Sequence, residues 1–307
     1  MFFHAAIRGF LSEMMDGGTP DPERAEASME RVADALLIPL RDGPLGQSAL
    51  SLAEERRLRG VAKTAARLLA EQLADSGFRP VGLEVRFGPD DGDATLRVGA
   101  DGRCALYGSI DRVDLWEADS PYVRVMDYKR GSKPFSLAEA WAGLQLQLLV
   151  YLAAAAKKRG ALPAGAFYFR MDEGYILTPE TDPQAVAELR RKNLRMDGPV
   201  VDDEGARAAL SGHPEQFYKT GAPLSRPAME RLLSHAVDMA GAHVDAIRAG
   251  EADPAPVKVG KNSACRFCDW RGACLFDESA DRRRVRRVDA DKRAVLERLL
   301  AGKESGK

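Results

Sequence analysis

The sequence predicts an α/β fold, a mixed central sheet flanked by helices, with a cysteine-containing segment towards the C-terminus. Three observations carry this expectation. Residues 81–87, 94–99, 103–115 and 121–128 alternate apolar and polar side chains as strands do. A long helical stretch at 136–159 follows, and an apolar strand pattern at 164–170 comes directly after it. Strand, strand, strand, helix, strand is an order that packs helices on a sheet.

The bulk numbers are compatible with that fold. The chain has 307 residues, 45% hydrophobic and 30% charged, which is enough apolar material for a sizeable core. A net charge of −1 neither requires nor excludes nucleic acid, because a local basic groove can sit on a neutral protein. No apolar run approaches the length of about 18 residues that spans a bilayer, and the N-terminus lacks a secretory signal. A cytoplasmic location is expected. Gly260-Lys261-Asn262 lacks the remaining residues of a phosphate-binding P-loop, so any ATP-driven step is expected in another domain or partner.

Along the chain, the first stretch is helical, with His4, Ile7, Leu11 and Met14 on one face. Read alone, His4 is a core histidine. A helix that begins at residue 2 leads us to expect a fragment or a truncated product. A polar loop at 16–22 precedes helices at 23–38 and 50–76. Arg56, Arg57, Arg59, Lys63 and Arg67 give the second of these a basic side, read as a solvated face rather than a DNA-facing one. The strand at 81–87 ends in a turn over Gly88–Gly92.

In the strand at 103–115, Cys104, Leu106 and Ile110 share one face, and Tyr107, Ser109, Asp111 and Val113 share the other. Cys104 is therefore read as a buried structural cysteine. The next strand carries Asp127 and Lys129 on one face, since i and i+2 project together. Two carboxylates beside a lysine suit a hard divalent cation and a polarised water, and salt bridging of Asp111 to Arg112 or Lys129 is the competing explanation. In the helix at 136–159, Ser136 is the expected N-cap with Glu139 three residues on. Gln147 and Tyr151 share a face at i and i+4, and Gln145 points elsewhere.

Residues 183–250 are expected to be mostly helical, with irregular connections around 197–202 and 211–227. A Pro-containing connector at 251–261 leads to Cys265-Arg-Phe-Cys268-Asp-Trp-Arg-Gly-Ala-Cys274, a C-x2-C-x5-C pattern that suggests a metal or cluster. Residues 281–307 hold ten Lys/Arg against five Asp/Glu and read as a basic helix or tail. The expected organisation is a core at 1–257, a cysteine segment at 258–280 and a basic terminus at 281–307.

Taken in order, a helix with His4, then Gly108-Ser-Ile-Asp111-Arg, Asp127-Tyr-Lys129 and Gln147-x-x-x-Tyr151 resembles the RecB-like branch of the PD-(D/E)xK nuclease superfamily. The cysteine pattern narrows the likeness to AddB-type nuclease domains and, more distantly, to Cas4 nucleases. The phrases FRPVGLEVRFG, GLQLQLLVYL and CRFCDWRGACLFD are also AddB-like, and the resemblance covers roughly residues 2–280.

That resemblance implies a restriction-endonuclease-like core in which His4, Asp111, Asp127 and the backbone carbonyl of Tyr128 ligate Mg²⁺ or Mn²⁺. It implies that Lys129 positions the attacking water and steadies charge on the phosphate, with Gln147 and Tyr151 in support. Glu84 lies in a family-like strand without an assigned role. Cys265, Cys268 and Cys274 would be ligands of a [4Fe–4S] cluster. The family pattern places a further cysteine upstream of the histidine helix, where this sequence has none, and Cys104 is a poor substitute. The cluster is therefore expected to be incomplete here. The implied function is a metal-dependent DNA exonuclease domain, 5′→3′ in polarity, acting on DNA ends with an AddA-type helicase–nuclease as partner. The rival readings are an inert DNA-binding or docking module and a stand-alone Cas4-like nuclease. Retention of Asp111, Asp127 and Lys129 favours the enzyme, and the AddB-like phrases and chain length weigh against Cas4.

Overall fold

The computed structural model describes all residues except 1, 18–20, 42, 44–45, 47, 130, 132, 172–177, 180, 221–222, 290 and 302–307. Parts of the expected polar loop at 16–22 and of the basic terminus thus lie outside the described residues.

Three helices open the chain: α1 (Phe2–Gly17), α2 (Pro22–Arg41) and α3 (Ala49–Ala74). Ile7, Phe10 and Leu11 of α1 are fully buried, which fits its apolar stripe. Ser48 caps α3 by accepting the Ser51 N–H at 3.0 Å. Much of the basic side of α3 is paired with carboxylates within the fold. Arg59 reaches Glu30, Asp34 and Glu55 at 2.8–2.9 Å, Lys63 reaches Glu30, and Arg67 pairs with Glu26.

The sheet begins with β1 (Arg79–Phe87). The expected strand at 94–99 shrinks to β2 (Arg97–Val98), because a 3-10 turn over Pro89–Ala94 uses up its first residue. The expected strand at 103–115 is two strands, β3 (Cys104–Ala105) and β4 (Gly108–Trp116). The break at 106–107 leaves Tyr107 82% exposed, so neither it nor Cys104 belongs to the faces assigned from alternation. Next come β5 (Tyr122–Lys129), α4 (Leu137–Trp141), α5 (Gln147–Arg159) and β6 (Leu162–Arg170). The single helix expected over 136–159 is interrupted, because Gly143 turns the chain at φ +83°, a left-handed conformation that suits glycine. Ser136 caps α4 as expected, accepting the Glu139 N–H at 3.2 Å.

Beyond β6 follow α6 (Pro183–Asn193), β7 (Met196–Gly198), α7 (Glu204–Leu210), α8 (Pro214–Phe217), β8 (Tyr218–Thr220) and α9 (Arg226–Arg248). The connections read as irregular therefore contain two short strands, too brief to alternate visibly. The main sheet has the order β1-β4-β5-β6-β7-β8, with β5–β6 and β7–β8 parallel and the other pairs antiparallel.

The C-terminal part corrects the expectation of a plain connector. The connector at 251–261 contains β9 (Val257–Val259), which pairs with β10 (Asn262–Ser263) and, in parallel, with β11 (Arg286–Val288). The short helix α10 (Arg271–Cys274) lies between. The basic terminus continues into α11 (Lys292–Ala301), whose Val295 and Leu299 are buried. Arg231 of α9 donates to the Leu299 and Leu300 carbonyls at 2.6 Å, capping α11. The helix expected in this basic stretch is thus present over Lys292–Ala301, with β11 ahead of it.

The core contains a buried ion network that alternation gives no reason to expect. Arg112 donates to both oxygens of Asp114 at 2.6 Å, and Arg124 donates to Asp114 at 2.8 Å. All three side chains are fully buried. Burial pushes the Asp114 carboxyl up, but the two arginines outweigh it and hold the group below its ordinary value. Arg124 also reaches the Tyr218 hydroxyl at 2.8 Å, beside the buried amide of Gln72. Removing one partner strands buried charge, so Asp114→Asn should cost about 3–5 kcal/mol in urea unfolding. A loss below ~1 kcal/mol would contradict the role given to this network.

Candidate active site

Strand register decides where the acidic residues project. Leu83 pairs with Arg112 and Val85 with Ile110, which sets Glu84 opposite Asp111. Arg112 pairs with Met126, and the next rung sets Asp111 opposite Asp127. Asp127 then pairs with Tyr168, Tyr168 with Asp197, and Asp197 with Lys219. Directly opposed residues share a face. One row therefore crosses the sheet: Glu84, Asp111, Asp127, Tyr168, Asp197, Lys219.

The acidic half of this row is met by α1. His4 Nδ1 lies 3.5 Å from Asp111 Oδ2, and the Tyr128 N–H donates to that same oxygen at 2.7 Å. Among the described residues, His4, Glu84 and Asp111 are the one set of three or more His, Cys, Asp or Glu side chains whose ligand atoms lie within 4.8 Å of one another. Glu84 reaches this position through φ +49°, a left-handed backbone that a non-glycine residue adopts only under constraint. Ser109 holds its carboxylate, donating at 3.2 Å. The sequence alone assigns Glu84 no role, and the signal that finds it is register combined with this strained backbone.

The other expected residues form a second chain of contacts beside the first. Lys129 Nζ stands 2.8 Å from Asp127 Oδ2 and donates to Gln147 Oε1 at 3.0 Å, and Gln147 Nε2 donates to the Tyr151 hydroxyl at 2.8 Å. The helix break places Gln147 at the first position of α5, so the i, i+4 pair with Tyr151 survives the interruption. Tyr151 is seated against Phe87, with ring centroids 5.8 Å apart, and a Cβ on Gly108 would come within 2.9 Å of the Phe87 ring. Gln145, expected to face elsewhere, accepts the Ser136 N–H at 3.0 Å and serves the α4 turn. The Tyr128 ring is buried beneath the site, packed edge-on to Phe169. Asp127 falls outside the compact trio and faces Lys129 instead.

The donor set fits a hard divalent cation. Two carboxylates and an imidazole converge, and buried Asp127 Oδ2 lacks hydrogen-bond geometry to any partner despite its closeness to Lys129. Burial pushes the Asp111 carboxyl up to about 6; Asp127 and Glu84 add to the rise, while the Tyr128 N–H and His4 oppose it. Burial likewise holds the Tyr168 phenol up at about 12, with Asp127 next in effect.

The cysteines lie apart from these residues. Cys265 is half-buried, while Cys268 and Cys274 are exposed, in a segment tied to α4 by a 2.9 Å hydrogen bond from Asn262 to Glu139. Cys104 is half-buried on β3.

Glu84, Asp111 and Asp127 thus lie on one row of a mixed sheet, with Lys129 two residues after Asp127. The chain belongs to the PD-(D/E)XK nuclease superfamily, whose sequence profile matches residues 1–275. It is similar to the AddB-type subunit of the ATP-dependent helicase/deoxyribonuclease of Desulforudis audaxviator, with 32% identity across 98% of this chain and 28% of that protein. The protein of the same name from Symbiobacterium thermophilum is 32% identical across 100% of this chain and 29% of its own length. That of Geobacillus kaustophilus is 30% identical across 98% and 29% respectively. The chain thus spans less than a third of the curated relatives it matches. No helix among the described residues is long and apolar enough to cross a membrane.

The raised Asp111 pKa has a testable sign. The folded chain binds this proton more tightly than the unfolded chain, so Asp111 removes stability as pH rises from about 4 to about 6. In chelator-treated protein, Asp111→Asn should abolish that loss and be about 1–3 kcal/mol more stable than wild type at pH 7. Identical pH profiles for the two proteins would contradict the assignment.

Proposed function

We propose that this chain is a Mg²⁺- or Mn²⁺-dependent deoxyribonuclease domain, an exonuclease of 5′→3′ polarity, working within an AddAB-type helicase–nuclease that processes DNA breaks for recombinational repair. The observation that carries this reading is the alignment of Glu84, Asp111 and Asp127 on one row, with Lys129 beside its end. The names of the relatives support a deoxyribonuclease component that acts with a partner, here of the AddA type.

His4, Glu84, Asp111 and Asp127 would hold the cation, which when bound supplies phosphate polarisation and a water of lowered pKa. The chain's own residues do the positioning. Tyr128 fixes one oxygen of Asp111 through its N–H, so the carboxylate keeps a single orientation. Lys129 is held between Asp127 and Gln147, and its ammonium would steady the charge a phosphate oxygen gains during attack. Tyr151 orients Gln147, and Gln147 in turn limits the sweep of the flexible lysine. A hydrogen-bonded chain of this kind keeps reacting groups in near-attack geometry.

We read residues 1–257 as the nuclease core, with a cysteine segment at 258–280 and a basic terminus at 281–307. Cys265, Cys268 and Cys274 are proposed as three ligands of a [4Fe–4S] cluster, a group that takes four. Two of the three thiols are exposed and so accessible to such a group.

The test is hydrolysis of DNA single strands labelled at either end, with Mg²⁺ or Mn²⁺. Wild type should release nucleotides from the 5′ end. Lys129→Ala and Asp127→Asn should each lower the rate by about 10²–10⁴-fold while leaving the melting temperature nearly unchanged. Equal rates for wild type and both variants would remove the assignment of this site.

A further inference from the structure

The connection between β5 and α5 is built around a buried carboxylate that the chemistry above does not use. Glu139 is the third residue of α4, the position from which a glutamate ordinarily reaches back to the N–H of its capping serine. Here Gln145 takes that N–H at 3.0 Å, which leaves the Glu139 carboxylate to other partners. The Glu139 side chain is 2% exposed. One of its oxygens accepts the Gln145 amide at 2.9 Å and pairs with Lys133 at 2.5 Å, and the other accepts the Asn262 amide at 2.9 Å. Burial pushes the group up, but Lys133, Asn262 and Gln145 outweigh it and hold it below its ordinary value. Glu139 is thus a charged anchor with three ties.

Two of the ties bracket the surroundings of Lys129. Lys133 lies four residues beyond Lys129 in the chain. Gln145 lies two residues before Gln147, whose side chain accepts the Lys129 ammonium at 3.0 Å. Gln145 also donates to the Pro134 carbonyl at 3.2 Å, and Asp197 accepts the Phe135 N–H at 3.0 Å, so residues 133–136 are pinned from several sides. Lys133 and residues 144–147 line the cavity of about 290 Å³ beside Lys129 and Tyr168. The third tie leads elsewhere in the molecule, because Asn262 stands on β10, three residues before Cys265. A lysine on a flexible four-carbon stem depends on such surroundings, and a displacement of about 1 Å at a reacting group can cost about 10²-fold in rate.

We infer that Glu139 is a positioning residue for hydrolysis: by clamping Lys133 and Gln145 it sets where Gln147 and Lys129 stand, and through Asn262 it makes that setting depend on the docked cysteine segment. This rests on the nuclease reading and adds a residue to it that touches neither cation nor strand. An apolar side chain could fill the same space without the cost of burying a charge. What the carboxylate adds is direction, since each of its partners is held at one point of its rim.

The test uses the full 307-residue chain and two variants. Glu139→Gln keeps the size of the side chain and removes its charge, while Asn262→Ala removes only the third tie, at an exposed position. Three quantities are measured: single-turnover cleavage of an end-labelled DNA strand with Mn²⁺, affinity for that strand in chelator, and hydrogen exchange over residues 133–147. Glu139→Gln should slow cleavage by about 10–100-fold and Asn262→Ala by about threefold to tenfold, with strand affinity within about twofold of wild type. The Phe135 and Ser136 amides should exchange faster in both. Lys261→Ala, one residue from Asn262, should match wild type throughout. Wild-type rate and exchange in both variants, in a protein that Lys129→Ala inactivates, overturn this inference alone. Slower cleavage without faster exchange, the reverse, or a loss of rate matched by an equal loss of strand affinity overturns it as well. A wild-type chain that does not cut removes the nuclease reading and this inference with it.

Discussion

The pairing of Asp114 with Arg124 is the constraint on which the site depends. The two residues are direct cross-strand partners of β4 and β5, and their side chains are bonded at 2.8 Å with no exposure to water. A strand can slip by one residue only by turning its side chains to the opposite face. Here a slip would drive Asp114 off both arginines and leave buried charges unpaired, a far larger penalty than loss of apolar contacts. The same register sets Asp111 opposite Asp127 on the reverse face. One buried network on one side of the sheet therefore fixes the acidic row on the other.

That row is unfavourable by itself. Burial raises the pKa of Asp111, and the charges of Asp127 and Glu84 add to the rise. Local groups offset part of this: the Tyr128 N–H, His4, Ser109 and Lys129 each touch one of the acids. Glu84 adds backbone strain to the same place. Strain and like charge are thus collected at one point and held by the sheet. Stability and function oppose each other here, and the fold meets the cost through its buried network and its helical core.

Much of this was legible in the sequence, for identifiable reasons. Asp127 and Lys129 share a face through simple alternation, and Gln147 and Tyr151 through helical spacing; both rules are local. His4 is at the α1 surface that meets the sheet, but its contact with Asp111 spans more than a hundred residues and came only from the resemblance. Glu84 was hidden because its role needs both register and a positive φ. Arg112, Asp114 and Arg124 were hidden because charged residues in a strand normally imply solvent. Periodicity ran unbroken through 136–159, so the break at Gly143 gave no signal beyond the glycine itself. The strands β7 and β8, three residues each, are below the length at which alternation can be recognised.

The central claim is that Glu84, Asp111 and their neighbours form one cation site created by strand register. Calorimetric titration of the chelator-treated chain with Mn²⁺ tests it most directly. The account predicts saturable Mn²⁺ binding that Asp111→Asn and Glu84→Gln each weaken by at least about tenfold, a loss of roughly 1.4 kcal/mol. Mn²⁺ binding that is unchanged in both variants would contradict it.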